Sequence, residues 1–424
     1  MDRVRSNSGG GRLDRIAYRR AARQRRRSRG AGAHAGGFSW VQWLGLAVAA
    51  LPGLAAAMAL LFSSKEVRVA EQGQITSRFN SAISNLGSAS LDVRFGGIYA
   101  LERIMQDSPR DQPRIVAVLS AYARRHAPVP ASGFAKEPED VDTDYMQPPT
   151  DVVAVMKVLA NRRSGRDGGA QLDWTRTDLR GLQLFPWDLA EVVRFNQGGG
   201  LPSRSVSAPF RYAIMVGADL RHAWLAGVDL RNAFASEANL SSATFLRADL
   251  AGASLESADL TRTNFVATDL TSADLSSAKL SDAQFAVPTG VFSSPTGPCN
   301  LTNAELWDAD LRAAGLDGTN LTGAFLVGAD LKGASLIGAN LHGAKLSAAD
   351  KSLEAKFFFE GKHANLTGAD LTGADLTNAD LRGVNLTRAI LTNADLRGAR
   401  LTGAKFTKAK TNGARGLPPS LASD

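Results

Sequence analysis

Five histidines, one cysteine and a recurring set of aspartates are the side chains here whose type could do chemistry. A transition-metal site needs clustered His, Cys or carboxylate ligands, commonly two His about one helical turn apart. His34, His126, His222, His342 and His363 show no such spacing. Cys299 is the only cysteine, which excludes an intrachain disulfide and a multi-thiolate zinc site. No phosphate-binding loop or nucleophile motif stands out. The aspartates recur just before leucines, as at Asp219, Asp249, Asp330 and Asp370. Such a ladder reads either as carboxylate pairs and cation sites or as plain solvation of a regular surface, and the regularity favours solvation. Asn-x-Thr triplets such as Asn365-Leu366-Thr367 mimic glycosylation acceptors but are by-products of the same interval. The expectation is a chain with no catalytic residue, no cofactor and no metal.

That interval organises half of the chain. Central apolar residues stand five apart from Phe210 to Phe285, from Leu301 to Leu346 and from Leu366 to Phe406. All thirty-five are Leu or Phe except Met215 and Ala235. A period of five fits neither a helix nor a strand. It fits a coil that turns one corner per pentad and points two residues inward, the central Leu and the Ala two before it. Ala218, Ala248, Ala329 and Ala369 occupy the inward small slot, as does Cys299, while Asp229 and Arg231 flank Leu230 on the outside. Phe245, Phe265 and Phe285 recur at intervals of 20, which predicts four pentads per coil and a ladder of stacked rings.

Ala369-Asp370-Leu371-Thr372-Gly373 and the pentad after it repeat the pattern A(D/N)LXX residue for residue. The chain thereby resembles the pentapeptide-repeat family over residues 208–412. The resemblance implies a mainly β fold, a right-handed quadrilateral β-helix of about nine coils, roughly 40 Å long at the ~4.8 Å strand spacing. Two segments interrupt it. Residues 286–298 are turn-rich and read as an extruded loop. Residues 351–363 would place Lys351 and Lys356 inside a coil, so they read as a loop replacing most of one. That loop carries Phe357, Phe358 and Phe359, either a partner contact or a cluster folded back on the solenoid. Upstream, Trp174, Leu179, Leu184 and Leu189 predict one degenerate coil within 171–207, out of register with the main run. Residues 413–424 read as a tail, leaving a C-terminal edge that is open or that pairs with another copy.

The N-terminal half is different. Residues 1–37 form an Arg-rich arm that reads as disordered, with 11 Arg and 2 Asp in the first 30 positions against a whole-chain charge of +8. It lacks the aromatic interleaving of a nucleic-acid binder. Residues 38–62 are apolar and long enough to cross a bilayer. Trp40 and Trp43 lie at one edge of the span, and Pro52-Gly53 predicts a kink. Arg23, Arg25, Arg26, Arg27 and Arg29 then become lipid head-group contacts and a positive-inside signal. The expectation is a single-pass protein with a cytoplasmic N-terminus and an extracytoplasmic repeat domain.

Residues 63–126 predict a small helical, HEAT-like module. Ser90 is a candidate cap, and Pro113 suits the first turn of a helix over 114–125. Segments such as Gly97-Ile-Tyr-Ala-Leu-Glu-Arg103 resemble a module that precedes pentapeptide repeats in actinobacterial membrane proteins. In several of those, two spans would keep the repeats cytoplasmic. Residues 127–170 read as an acidic, Pro-rich linker followed by a short helix over 150–163 that covers the open end of the solenoid.

Two functions compete. One is a non-catalytic, membrane-anchored scaffold for protein–protein interaction, with outward aromatics such as Trp224, Trp307 and Phe325 as candidate contacts. The other comes from the family resemblance, a DNA mimic that binds type II topoisomerases. Mimicry needs a strongly negative rod, whereas residues 208–412 hold 21 acidic and 19 basic side chains.

Overall fold

The computed structural model describes residues 40–134, 147–184, 208–286, 299–347 and 362–420. The chain divides into two compact units, Met1–Gln74 and Ile75–Asp424. In the first, helix α1 (Trp40–Leu86) begins, and it runs unbroken through Pro52 into the second. The helix continues past Phe62, since Lys65 to Leu86 contains no proline. Leu44, Val48, Leu51, Leu54, Met58, Leu60 and Leu61 are all exposed. A helix apolar on every side suits a bilayer rather than water. Among the described residues this is one helix long and apolar enough to cross a membrane.

The second unit starts with the end of α1 and three short helices, α2 (Leu91–Asp107), α3 (Gln112–His126) and α4 (Thr150–Asn161). Their apolar residues recur at helical spacing, Ile98, Leu101, Ile104 and Met105 on α2, and Ile115, Val116, Leu119 and Ala123 on α3. Helix α4 packs against both. Ser90 precedes α2 as expected, yet its hydroxyl makes no capping bond. Pro113 lies in the first turn of α3, where its missing N–H costs nothing. Gly97 is a contact point, since a Cβ there would meet the Ala82 carbonyl oxygen at 2.8 Å.

Beyond the helices the pentads form the coil that the period predicts. Residues just before the central positions are joined to their equivalents in the next coil by parallel bridges, Asp229 to Asp249 and Asp249 to Asp269 for example. Among the described residues, four columns result, each of ten residues joined by nine bridges. Each side of a coil contributes a single bridged residue rather than an extended strand. Among the described residues, central Leu and Phe and the Ala two before them are buried from Ala213 to Leu396, and one continuous cluster joins them to the helical core. Each buried Leu contributes ~1.5–3 kcal/mol. The rings of Phe245 and Phe265 stack at 5.5 Å and those of Phe265 and Phe285 at 5.0 Å, which bears out the predicted ladder.

Corners are β-turns in which the N–H of the inward Ala donates to the preceding Leu carbonyl, as Ala233 does to Leu230 at 3.0 Å. The third turn residue has positive φ, which L side chains adopt at a cost and Gly without one. In the second and third runs that position is mostly Gly, from Gly318 to Gly413.

The interruptions alter the sequence register but not the spatial one. Asp269 pairs with Asn300, and Asp330 with Asn365, so coil stacking passes straight across both. The second interruption is thus an insertion between coils, not a substitute for part of one. Its neck is closed by an antiparallel bridge between Ser347 and His363. The degenerate coil likewise falls into the columns, Asp173 on Ile214, Asp178 on Asp219 and Gln183 on Trp224. Its free edge is covered by the strand-like exit of α3. Pro128 bridges Thr177, and the Val129 N–H donates to the Arg176 carbonyl at 2.7 Å. Helix α4, to which sequence reasoning assigned that covering role, packs against α2 and α3 and shares one buried cluster with Leu172, Trp174 and Phe210 of the first coils.

Candidate interaction surfaces

The aspartate ladder is a structural device. Each Asp or Asn before a central Leu accepts the backbone N–H two residues on, as Asp249 does from Ala251 at 3.2 Å and Asp370 from Thr372 at 3.0 Å. These side chains satisfy turn donors. Six of them also hold an arginine. In the Asp-Leu-Arg triplets 178–180, 219–221, 229–231, 310–312, 380–382 and 395–397, the guanidinium forks onto the carboxylate two positions back. The Arg397 fork holds Asp395 down to about 2. Bidentate pairs of this kind use both carboxylate oxygens. Exposed pairs add little to stability, ~0–1 kcal/mol, but they cancel negative charge along the faces.

Not every outward residue meets water. Asp219, Arg221 and Asp229 are buried, against the expectation that residues flanking a central Leu are solvated. Their sequence positions match those of half-buried Asp310 and exposed Arg312, so no local signal distinguishes the two environments.

The outward aromatics also differ from expectation. Trp224 is half-buried and packs over Ala226, Leu246 and Val266. Trp307 is buried against Val327, with its ring stacked 5.2 Å from Phe325. Its indole N–H donates to Glu305 at 3.3 Å, and the Lys345 ammonium lies 4.3 Å from the Phe325 ring centre. Phe325 and Lys345 are thus the more accessible members of this group. Phe357, Phe358 and Phe359 and the five head-group arginines lie outside the described residues.

The helical module holds a polar cluster that sequence reasoning missed. Asp151, at the start of α4, accepts from Arg94 Nε of α2 at 2.7 Å and from the Tyr122 hydroxyl of α3 at 2.6 Å. Burial alone would raise the Asp151 carboxyl, but the bonds from Tyr122 and Arg94 outweigh it and hold it below the usual range. His126 stacks on Tyr122 at 3.9 Å, and burial lowers its pKa. The cluster ties three helices together. Cys299 is fully buried, and burial pushes its thiol far above the usual range. His342 and His363 bond separately to Thr377 and Ser347. No group of three or more metal-ligating side chains gathers among the described residues.

The model of the family described as pentapeptide repeats matches residues 213–250, 248–285, 314–350, 364–403 and 379–415, in eight copies. HetL, a pentapeptide repeat protein involved in heterocyst differentiation regulation in the cyanobacterium Nostoc, is 35% identical. That match covers 54% of this chain and 96% of HetL, with a TM-score of 0.37. The chain belongs to the pentapeptide-repeat family. A pentapeptide-repeat protein of the Arabidopsis thaliana thylakoid lumen is 32% identical over 26% of this chain and 66% of its own, with a TM-score of 0.22. Trypsin-treated QnrB1, a plasmid-mediated fluoroquinolone resistance protein, is 18% identical over 42% and 83%, with a TM-score of 0.25. No curated protein matches.

Proposed function

We propose that this pentapeptide-repeat protein is a non-catalytic scaffold for protein–protein interaction, built as a right-handed quadrilateral β-helix and held at a membrane by α1. The observation that carries this reading is the filled interior. Among the described residues from Leu220 to Leu396 the inward positions are filled by the coil's own side chains, mostly Leu, Phe and Ala with a few Val, Thr and Cys299. Such a solenoid leaves no internal room for a ligand, so its work is done on its outer faces. The apolar surface of α1 supports a single span, where several of the actinobacterial membrane proteins that the upstream module resembles carry two. The Arg-rich arm supports a cytoplasmic N-terminus and an extracytoplasmic solenoid. Photo-crosslinking residues placed at Phe325, Asp249, Asp310 and Asp370, one on each of the four faces, test the scaffold in cells. A discrete adduct from one face supports it, and no adduct from any face removes it. A compartment-sensitive reporter after Asp424 tests sidedness, and a cytoplasmic signal would overturn the extracytoplasmic placement.

The rival reading is a DNA mimic that acts on type II topoisomerases. Residues 208–395 hold 21 acidic and 14 basic side chains, which favours it. The six arginine forks oppose it, because a phosphate-binding surface would meet neutralised carboxylates. Unchanged supercoiling by gyrase in the presence of micromolar protein would eliminate this reading.

A further inference from the structure

The last described coil reverses the charge of the solenoid. Residues 396–423 carry six basic side chains and no acidic one. The reversal is positional. In the preceding coil the four bridged residues are Asp380, Asn385, Ile390 and Asp395. Their partners in the last coil are Arg400, Lys405, Lys410 and Arg415, one cation on each of the four sides. All four are exposed, as is Lys408 on a corner.

The same coil has an apolar centre that is only partly covered. Leu401 and Phe406 are half-buried, whereas the equivalent Leu381 and Leu386 are fully buried. Leu381, Leu386 and Leu391 donate their N–H groups to the carbonyls of Arg400, Lys405 and Lys410. The N–H groups of Leu401 and Phe406 have no such acceptor among the described residues. The result is a polar-rimmed apolar plate with a cation on every side.

We propose that this plate docks end-on against an anionic lipid surface. Cations around an apolar centre match head-group phosphates around acyl chains. Other occupants fit less well. A second copy stacked plate to plate would bring two cationic collars together. A long polyanion lying along the solenoid would run onto the acidic body behind the collar. An added peptide strand would satisfy only one of the four edges. The proposal does not depend on α1 spanning a membrane, since the four cations and the apolar centre all belong to the last described coil.

The test uses the full chain held by α1 in phosphatidylcholine nanodiscs, floated with vesicles of phosphatidylcholine with or without phosphatidylglycerol. Wild type should float only with the anionic vesicles, and less so at high salt. Replacing the collar by body-type residues (Arg400→Asp, Lys405→Asn, Lys410→Asn, Arg415→Asp) should cut flotation by roughly a hundred-fold or more, at about five-fold per cation. Arg400→Lys with Arg415→Lys keeps the charge and should float as wild type, which guards against misfolding of the four-fold variant. Replacing Arg23, Arg25, Arg26, Arg27 and Arg29 by Gln should leave the ratio between collar and collar-less proteins unchanged. Equal flotation with and without the collar overturns the proposal. So does collar-dependent binding of soluble polyglutamate or duplex DNA with vesicle binding unaffected by the collar.

Discussion

Arg94 and Asp151, 57 positions apart, meet at 2.7 Å between the first and last short helices, and Tyr122 closes the cluster on the same carboxylate oxygen. Removing the carboxylate strands a buried hydroxyl and leaves the guanidinium without its anion. Asp151→Ala should therefore destabilise the helical module by about 3 kcal/mol, read as a lowered unfolding midpoint of the full chain in detergent micelles. An unchanged midpoint would show that the cluster is ornamental to folding.

The same cluster sets a pH dependence in two windows. His126 has a lowered pKa, so the unfolded chain takes up its proton first as pH falls below ~6.5. Stability is complete above that value and declines as the imidazole is forced to charge. Asp151 is also lowered, so its contribution is present above ~3.9 and is lost as pH falls through its folded value. Unfolding midpoints measured across both windows should show two steps. His126→Phe should erase the upper step alone, and a two-step profile in that variant would refute the assignment.

Gly97 and its neighbour Gly96 predict opposite outcomes for one substitution. A Cβ at Gly97 meets Ala82 O at 2.8 Å and Asn85 Cβ at 3.0 Å, whereas at Gly96 it meets nothing. Gly97→Ala should cost about 1–3 kcal/mol by forcing α2 off the end of α1. Gly96→Ala should gain up to ~1 kcal/mol from helix propensity. Thermal unfolding of the pair decides whether this close approach holds the module on the helix.

Phe265 is the middle ring of its ladder, fully buried between Phe245 and Phe285. Phe265→Ala should cost ~3–5 kcal/mol through lost burial and a residual cavity. Phe265→Leu restores the commoner residue of the repeat and should cost less than ~1.5 kcal/mol. Urea unfolding distinguishes the two, and equal losses would mean that ring stacking rather than volume holds this side.

Most of the solenoid is legible because one short period repeats without competition. The five-residue spacing alone places Leu230 and Val228 inside, and the Phe spacing of 20 alone gives four sides. What escaped reading is set by contacts between distant positions. Arg94, Tyr122 and Asp151 carry no shared motif, and only the packing of three helices joins them. Gln183 and Pro209 lie in neighbouring columns although 26 positions separate them, so spacing could not show that the first coil is in register. Trp307 occupies an outward position, yet Phe325 and Val327 cover it from the next coil. The basic collar was visible as residues but not as a ring, because four sides become one rim only once the columns are known.

The corners supply the last prediction. Ala313 and Gly333 hold the same turn position, with φ of 54° and 70°. Gly333 has open space where a Cβ would go, so backbone strain alone decides the effect of filling it. Gly333→Ala should destabilise by ~1 kcal/mol, and the reverse exchange, Ala313→Gly, should recover part of the same strain, less the entropy that Gly loses on folding. The Ala313 N–H donates to the carbonyl of Lys332, beside Gly333, at 3.1 Å, so the two turns are in contact and the double variant measures their coupling. Urea midpoints of the two single variants and the double variant test this. A destabilised Ala313→Gly would show that the entropy of glycine in the unfolded chain outweighs relief of the left-handed corner.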